Sequence, residues 1–160
     1  MKILPYEKFT LISKNPASTV FLILKNNIKE RKFLNGLFKE KEYFEGEIFK
    51  HGFSINPLIN YKNSFNPIIN GSIIEKDGFT LIKVTMRLNV GVLIFGIIWC
   101  SPFFFLLFIG IANFVPKLII ICLLFLIGGG CLFILPFKHE AKKAKQKLID
   151  LLEAEELEKE

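Results

Sequence analysis

Apolar and polar positions alternate along much of the first half of the chain and then give way to an apolar block. From Leu88 to Phe137, 50 consecutive residues carry one charge, Lys117. As a single helix this block would run roughly 75 Å at about 1.5 Å per residue, against a hydrocarbon core of about 30 Å. Asn113, Phe114, Val115, Pro116 and Lys117 interrupt it with a short polar, helix-breaking knot. The pattern predicts a transmembrane hairpin with spans at about 90–112 and 118–135. Between 118 and 137 lie fourteen Leu, Ile or Phe residues. At roughly −0.3 to −0.6 kcal/mol each near the bilayer centre, they favour insertion by several kcal/mol.

The remaining pattern predicts strands and two helices. Residues 6–13 (YEKFTLIS) read as a strand. Asn15 is placed as an N-cap and Pro16 as the first residue of a helix whose Val20, Phe21, Leu24 and Ile28 share a face. Segments 43–50 and 53–59 read as a hairpin turning at His51-Gly52. That turn pairs Lys50 with Phe53, Ile48 with Ile55 and Phe44 with Ile59, putting Phe44, Ile48, Ile55 and Ile59 on one face. A second hairpin, 67–76 with 79–88, turns at Asp77-Gly78. It places Ile69, Gly71, Ile73, Ile82, Val84, Met86 and Leu88 on one face and Asn70, Ser72, Lys83, Thr85 and Arg87 on the other, as a half-buried sheet requires. Residues 139–160 read as a helix with an apolar stripe, Ala141, Ala144, Leu148, Leu151 and Leu152, able to lie across the sheet.

The expected fold is an α+β membrane protein, a small antiparallel sheet with an N-terminal and a C-terminal helix, interrupted by the transmembrane hairpin. Residues 1–88 form the first part of a cytoplasmic domain, 89–136 the hairpin, and 137–160 the helix that completes the domain. The start of the chain, MKILPY, lacks the apolar core of a signal peptide, so the hairpin itself is expected to target the chain. Lys83 and Arg87 precede the first span and Lys138, Lys142, Lys143, Lys145 and Lys147 follow the second, whereas the connecting loop holds Lys117 alone. The excess of flanking cations puts both termini in the cytoplasm, with the hairpin in the cell membrane.

Charge and cysteine usage narrow the function classes. The net charge of +6 suits a domain held against anionic lipid and requires no nucleic acid. Cys100, Cys122 and Cys131 all lie inside the spans and read as small packing residues, with no disulfide framework or metal spacing. Residues 138–147 hold five Lys and one Glu, while 148–160 hold six acids and one Lys. This order is the reverse of what a helix dipole favours, and anionic lipid beside the helix start accounts for it.

One further pattern bears on the site. Asn-Pro-(Leu/Ile)-Ile-Asn occurs at 56–60 and again at 66–70. The strand ending at Arg87 and Leu88 runs into the first span, so that end lies at the membrane surface. Its antiparallel partner starts there too, which puts the loop 60–66 between sheet and lipid. The two Asn-Pro pairs then flank this loop, each proline sitting at a strand end, where a ladder hydrogen bond is lost. Tyr61 and Phe65 suit the headgroup layer, and Lys62, Arg87, Lys138, Lys142 and Lys143 supply cations for anionic headgroups.

Catalytic signatures are weak. Glu45 and Glu47 share a strand face, yet no nucleophile or perturbing group accompanies them, and a solvated polar face is the simpler reading. His51 and His139 stand apart without metal-ligand spacing, so neither a metal nor a cofactor is expected. Asn70-Gly71-Ser72 matches a glycosylation acceptor that a cytoplasmic location leaves inert. Pro102 frees the carbonyl of Ile98 and bends the first span, and a hairpin turning near Phe114 sets Cys100 and Ser101 against Gly128, Gly129 and Gly130.

The strings FEGEIFKHGFSI, YKNSFNPIINGSI and GFTLIKVTMRL before an apolar hairpin resemble uncharacterised small bacterial membrane proteins with a strand-rich domain and two membrane helices. That likeness covers about residues 43–100 and implies no activity. More loosely, the order of strand, helix, hairpins and final helix resembles the START-like helix-grip fold, which implies an apolar ligand between sheet and last helix. Here the membrane hairpin interrupts that order, and the strands read from the sequence are too few for a large cavity. The function expected is a non-enzymatic, membrane-anchored module that contacts lipid headgroups or a small apolar ligand. The alternative is a structural or accessory subunit of a larger membrane complex.

Overall fold

The strands gather into one mixed sheet of seven, larger than the small antiparallel sheet expected and with one parallel pair. A computed structural model of the chain describes residues 4–30, 43–59, 63–76 and 78–157. In order these form β1 (Tyr6–Ser13), α1 (Ala17–Asn27), β2 (Ile28–Glu30), β3 (Phe44–Phe49), β4 (Gly52–Pro57), β5 (Ile68–Lys76), β6 (Phe79–Arg87), α2 (Val90–Ala112), α3 (Pro116–Leu152) and β7 (Ala154–Glu156). The seven strands lie in the order β2-β3-β4-β5-β6-β1-β7. All neighbours are antiparallel except β2 and β3.

The second hairpin has the register its alternation specifies, with Lys76 opposite Phe79, Ile73 opposite Ile82 and Ile69 opposite Met86. Asp77 of its turn lies outside the described residues. Ile69, Ile73, Ile82, Val84, Met86 and Leu88 are buried, whereas Lys83 and Arg87 are exposed. In the first hairpin the turn is Lys50-His51, because Phe49 pairs with Gly52, Ile48 with Phe53 and Phe44 with Pro57. The expected pairing is therefore displaced by two residues. A shift of two preserves sidedness, so Phe44 and Ile55 remain buried. Gly52 is claimed by the sheet: a Cβ there would strike the Gly71 carbonyl oxygen of β5.

Helix α1 begins one residue later than expected. Pro16, extended at φ −61° and ψ 154°, occupies the N-cap position, and its carbonyl accepts from the backbone N–H of Thr19 and Val20. Asn15 does not cap with its side chain. Its carbonyl accepts from Thr80 Oγ1 at 2.7 Å.

The larger correction concerns the C-terminal helix, which is no separate element. α3 continues from the second apolar segment through Pro136 to Leu152. It ends at Glu153, a non-glycine residue in the left-handed region at φ 47°, and β7 then pairs antiparallel with β1. Glu153, Glu155 and Glu156 thus lie beyond the helix, and Glu156 turns back to Lys145 Nζ at 2.6 Å. Chain reversal therefore accounts for part of the basic-then-acidic order that suggested lipid. In the last helical turns Asp150 accepts from Gln146 at 2.8 Å, and the Leu152 carbonyl accepts from the buried Ser13 hydroxyl at 3.0 Å.

One cluster unites Phe9 and Leu11 of β1 and the inward residues of β3 to β6 with Val20 and Leu24 of α1 and Ala141, Ala144, Leu148 and Leu152 of α3. Both helices therefore cover the same sheet face. α3 follows β1, with Lys138 Nζ 3.0 Å from Glu7 at one end and Leu152 on Ser13 at the other. The fourteen helical steps rise about 21 Å and the six strand steps from Glu7 to Ser13 about 20 Å, so helix and strand match in length.

α2 and the first half of α3 form an apolar hairpin, both long and apolar enough to cross a membrane. Their most apolar windows are 0% and 11% buried within the chain, which excludes a core helix pair inside this protomer. Asn113 Nδ2 bonds the Ile109 carbonyl at 2.9 Å, Phe114 adopts φ 52°, and Pro116 opens α3. Ser101 Oγ donates to the Ile98 carbonyl at 2.9 Å, satisfying the acceptor that Pro102 frees. Gly129 meets Cys100, whose Sγ would lie 3.6 Å from a Cβ placed there.

Candidate membrane-surface site

The strand directions bring one end of the sheet to the root of the hairpin. β6 ends at Arg87, opposite Tyr6 of β1 and Ile68 of β5. Asn89 caps α2 by accepting from the Gly91 N–H at 2.8 Å, so two residues separate sheet from helix. The turns at Lys50-His51 and Gly78 lie at the opposite end.

The loop before β5 is anchored at this root. Asn63 Oδ1 accepts from the Phe65 N–H at 2.9 Å, a side-chain turn of the kind asparagine forms well. Asn66 Nδ2 then donates to the Pro57 carbonyl at 2.8 Å, so the second Asn-Pro pair is bonded directly to the first. Pro57 closes β4 and Pro67 immediately precedes β5, as a reading of the repeat as two strand ends requires. Phe65 meets Phe133 of α3 edge-on, with ring centroids 5.9 Å apart at 69°, and Phe95 of α2 approaches the same ring at 6.4 Å. This aromatic contact ties the loop to the hairpin. In a double-mutant cycle, Phe65→Ala and Phe133→Ala should couple by about 0.5–1.5 kcal/mol, measured by chemical unfolding of the detergent-solubilised chain. Coupling near zero would mean that loop and hairpin stabilise the molecule independently.

The other expected contacts are distributed as follows. Tyr61 and Lys62 lie outside the described residues. Arg87 and Lys142 are exposed. Lys138 is committed to Glu7, with both side chains about one-quarter exposed. Lys143 Nζ lies 3.7 Å from Glu140, which is buried despite its charge. Glu45 faces Asn56 across β4 and Lys29 across β2, and Glu47 faces Ser54. Among the described residues no cluster of His, Cys, Asp or Glu has the makings of a metal site.

The sequence left open whether a pocket lies between sheet and last helix, and the structure has a cleft of about 390 Å³ between the end of β4 and α3, lined by Pro57, Leu58 and Ile59 on one side and Glu140, Lys143, Ala144 and Lys147 on the other. The helical wall has a signal in the i, i+3, i+4, i+7 spacing of its four residues. The opposing wall has none, since the chain must first fold to bring residues 57–59 there.

No protein family, curated protein or solved structure matches the chain. The α+β architecture and the two membrane-length apolar helices therefore define its class on their own.

Proposed function

We propose that this chain is a membrane-anchored, non-enzymatic module whose hairpin crosses a bacterial inner membrane twice and whose sheet-bearing part lies against anionic headgroups on the cytoplasmic side. The observation that carries this reading is the unbroken course of α3 from the apolar hairpin onto the sheet. With Lys138, Lys142 and Lys143 placed just past Phe137, the cations fall where the helix would leave the hydrocarbon. The short link from β6 to α2 is a second fixed connection, so the domain has little freedom to swing away from the bilayer. Both ends of the chain lie on the cytoplasmic side in this arrangement.

Depth measurement tests it. In a chain whose native cysteines are replaced by alanine, a fluorophore on Ser64→Cys should be quenched strongly by a headgroup-level quencher in liposomes, and one on His51→Cys weakly. A thiol at Phe114→Cys should react with an impermeant reagent added from the opposite side. Equal quenching at 64 and 51 would sink the surface placement.

A second reading, an accessory subunit of a larger membrane complex, is favoured by Gly128 and Gly130. A Cβ on either would meet nothing within 4 Å, so packing inside this chain explains neither glycine. Small residues of this kind admit a neighbouring transmembrane helix. Co-purification of a stoichiometric protein in mild detergent would favour this reading over the first.

A further inference from the structure

The cleft between the end of β4 and α3 combines features that no surface-placement argument requires. Its helical wall carries Lys143 and Lys147, one turn apart and therefore on one face. Its other wall is apolar, made by Pro57, Leu58 and Ile59. Glu140 forms the floor of the charged side and is 7% exposed. Lys143 approaches Glu140 at 3.7 Å while its side chain remains 52% exposed, and no acid pairs with Lys147 among the described residues. The net charge of the wall is thus positive, with one carboxylate holding part of it in place.

The cleft also has a defined height. Glu140 is three residues past Phe137, about 4.5 Å along the helix, and Lys147 is ten residues past it, about 15 Å. If the apolar segment ends at the hydrocarbon boundary, the Glu140 end of the cleft opens within the headgroup layer, about 5–8 Å thick, while Lys143 and Lys147 leave the helix above it and lean back toward it, as helical side chains lean toward the helix N-terminus. The volume is at the small end for ligand pockets, sufficient for a headgroup and too small for two acyl chains. A wholly apolar ligand would leave the Lys147 ammonium without counter-charge and that of Lys143 with Glu140 alone, and a soluble phosphate would leave the Pro57–Ile59 wall without a partner.

The geometry points to a binding site for one anionic phospholipid, whose phosphate is held by Lys143 and Lys147 and whose glycerol region lies against Leu58 and Ile59 while its chains remain in the bilayer. The inference rests on the proposed surface placement and makes it specific to one site. It differs from diffuse attraction because two lysines account for it and other exposed cations do not.

The test is native mass spectrometry of the full chain in mild detergent, supplied with equal amounts of phosphatidylglycerol and phosphatidylcholine bearing the same acyl chains. The wild-type chain should retain one phosphatidylglycerol in preference to phosphatidylcholine. Lys143→Gln with Lys147→Gln should abolish the preference, at about five-fold for each lysine, while Lys143→Arg with Lys147→Arg keeps it. Lys83→Gln, an exposed residue on the sheet face away from the two helices, should leave it unchanged. Glycerol phosphate, the headgroup without its chains, should not displace the lipid at equal concentration. Equal losses from Lys83→Gln and from the paired glutamine substitutions would overturn the cleft assignment in favour of diffuse attraction, leaving the surface placement intact. Displacement by glycerol phosphate would overturn the lipid as ligand. Equal retention of both lipids by the wild type would overturn the site, and the depth contrast between positions 64 and 51 then decides separately whether the surface placement falls with it.

Discussion

Replacing Leu148 with alanine should destabilise the sheet-bearing part by about 2–5 kcal/mol, the cost of deleting a large aliphatic side chain from a closed core. Leu148 is 0% exposed and belongs to the cluster that α3 shares with β1 and β3 to β6. Leu151, three residues on, packs at the edge of that cluster and is only partly buried. Its replacement by alanine should cost well under half as much, because less area leaves water when it packs. The pair is read by urea unfolding of the full chain in mild detergent, followed by circular dichroism and by protease cleavage. The contrast matters more than either value. If Leu151→Ala cost as much as Leu148→Ala, the helix would present a different face to the sheet from the one described.

How far the sequence foretold this fold depends on whether a signal was local. The β5–β6 hairpin was legible because alternation and turn agree. With Lys76 opposite Phe79, every buried position from Ile69 to Met86 falls on one side. The β3–β4 pairing was misread by two residues because Gly52 has a local use, in turns, and a tertiary one, in close approach to Gly71. Sequence displays only the first. β2 and β7, three residues each, hold their places by pairing with β3 and β1 and have no periodicity of their own. The end of α3 carries no glycine or proline, since Glu153 itself takes the left-handed conformation. The end of the sheet that meets the root of the hairpin could be deduced from strand directions, and Phe65 was named on that ground. Its partner Phe133, and the cleft between residues 57–59 and α3, required three-dimensional folding to become visible.

The continuity of α3 has a mechanical consequence with a larger expected effect. One alanine inserted between Phe137 and Lys138 would rotate everything beyond it by about 100° relative to the hairpin, at 3.6 residues per turn. Ala141, Ala144, Leu148 and Leu152 would turn off the sheet, and the contacts of Lys138 with Glu7, Lys145 with Phe9, and Leu152 with Ser13 would be lost together. Two leucines alone account for roughly 3–6 kcal/mol of burial, a large share of the roughly 5–15 kcal/mol that holds a domain folded. The insertion should therefore leave the hairpin helical while removing protease resistance and cooperative unfolding from the strands. The same alanine inserted between Asn113 and Phe114, at the far end of the hairpin, should leave both intact. A helix that absorbed the extra residue as a local π-bulge would keep the strands protected. In that event Phe137 and the sheet would not be rigidly coupled, and α3 would act as a tether.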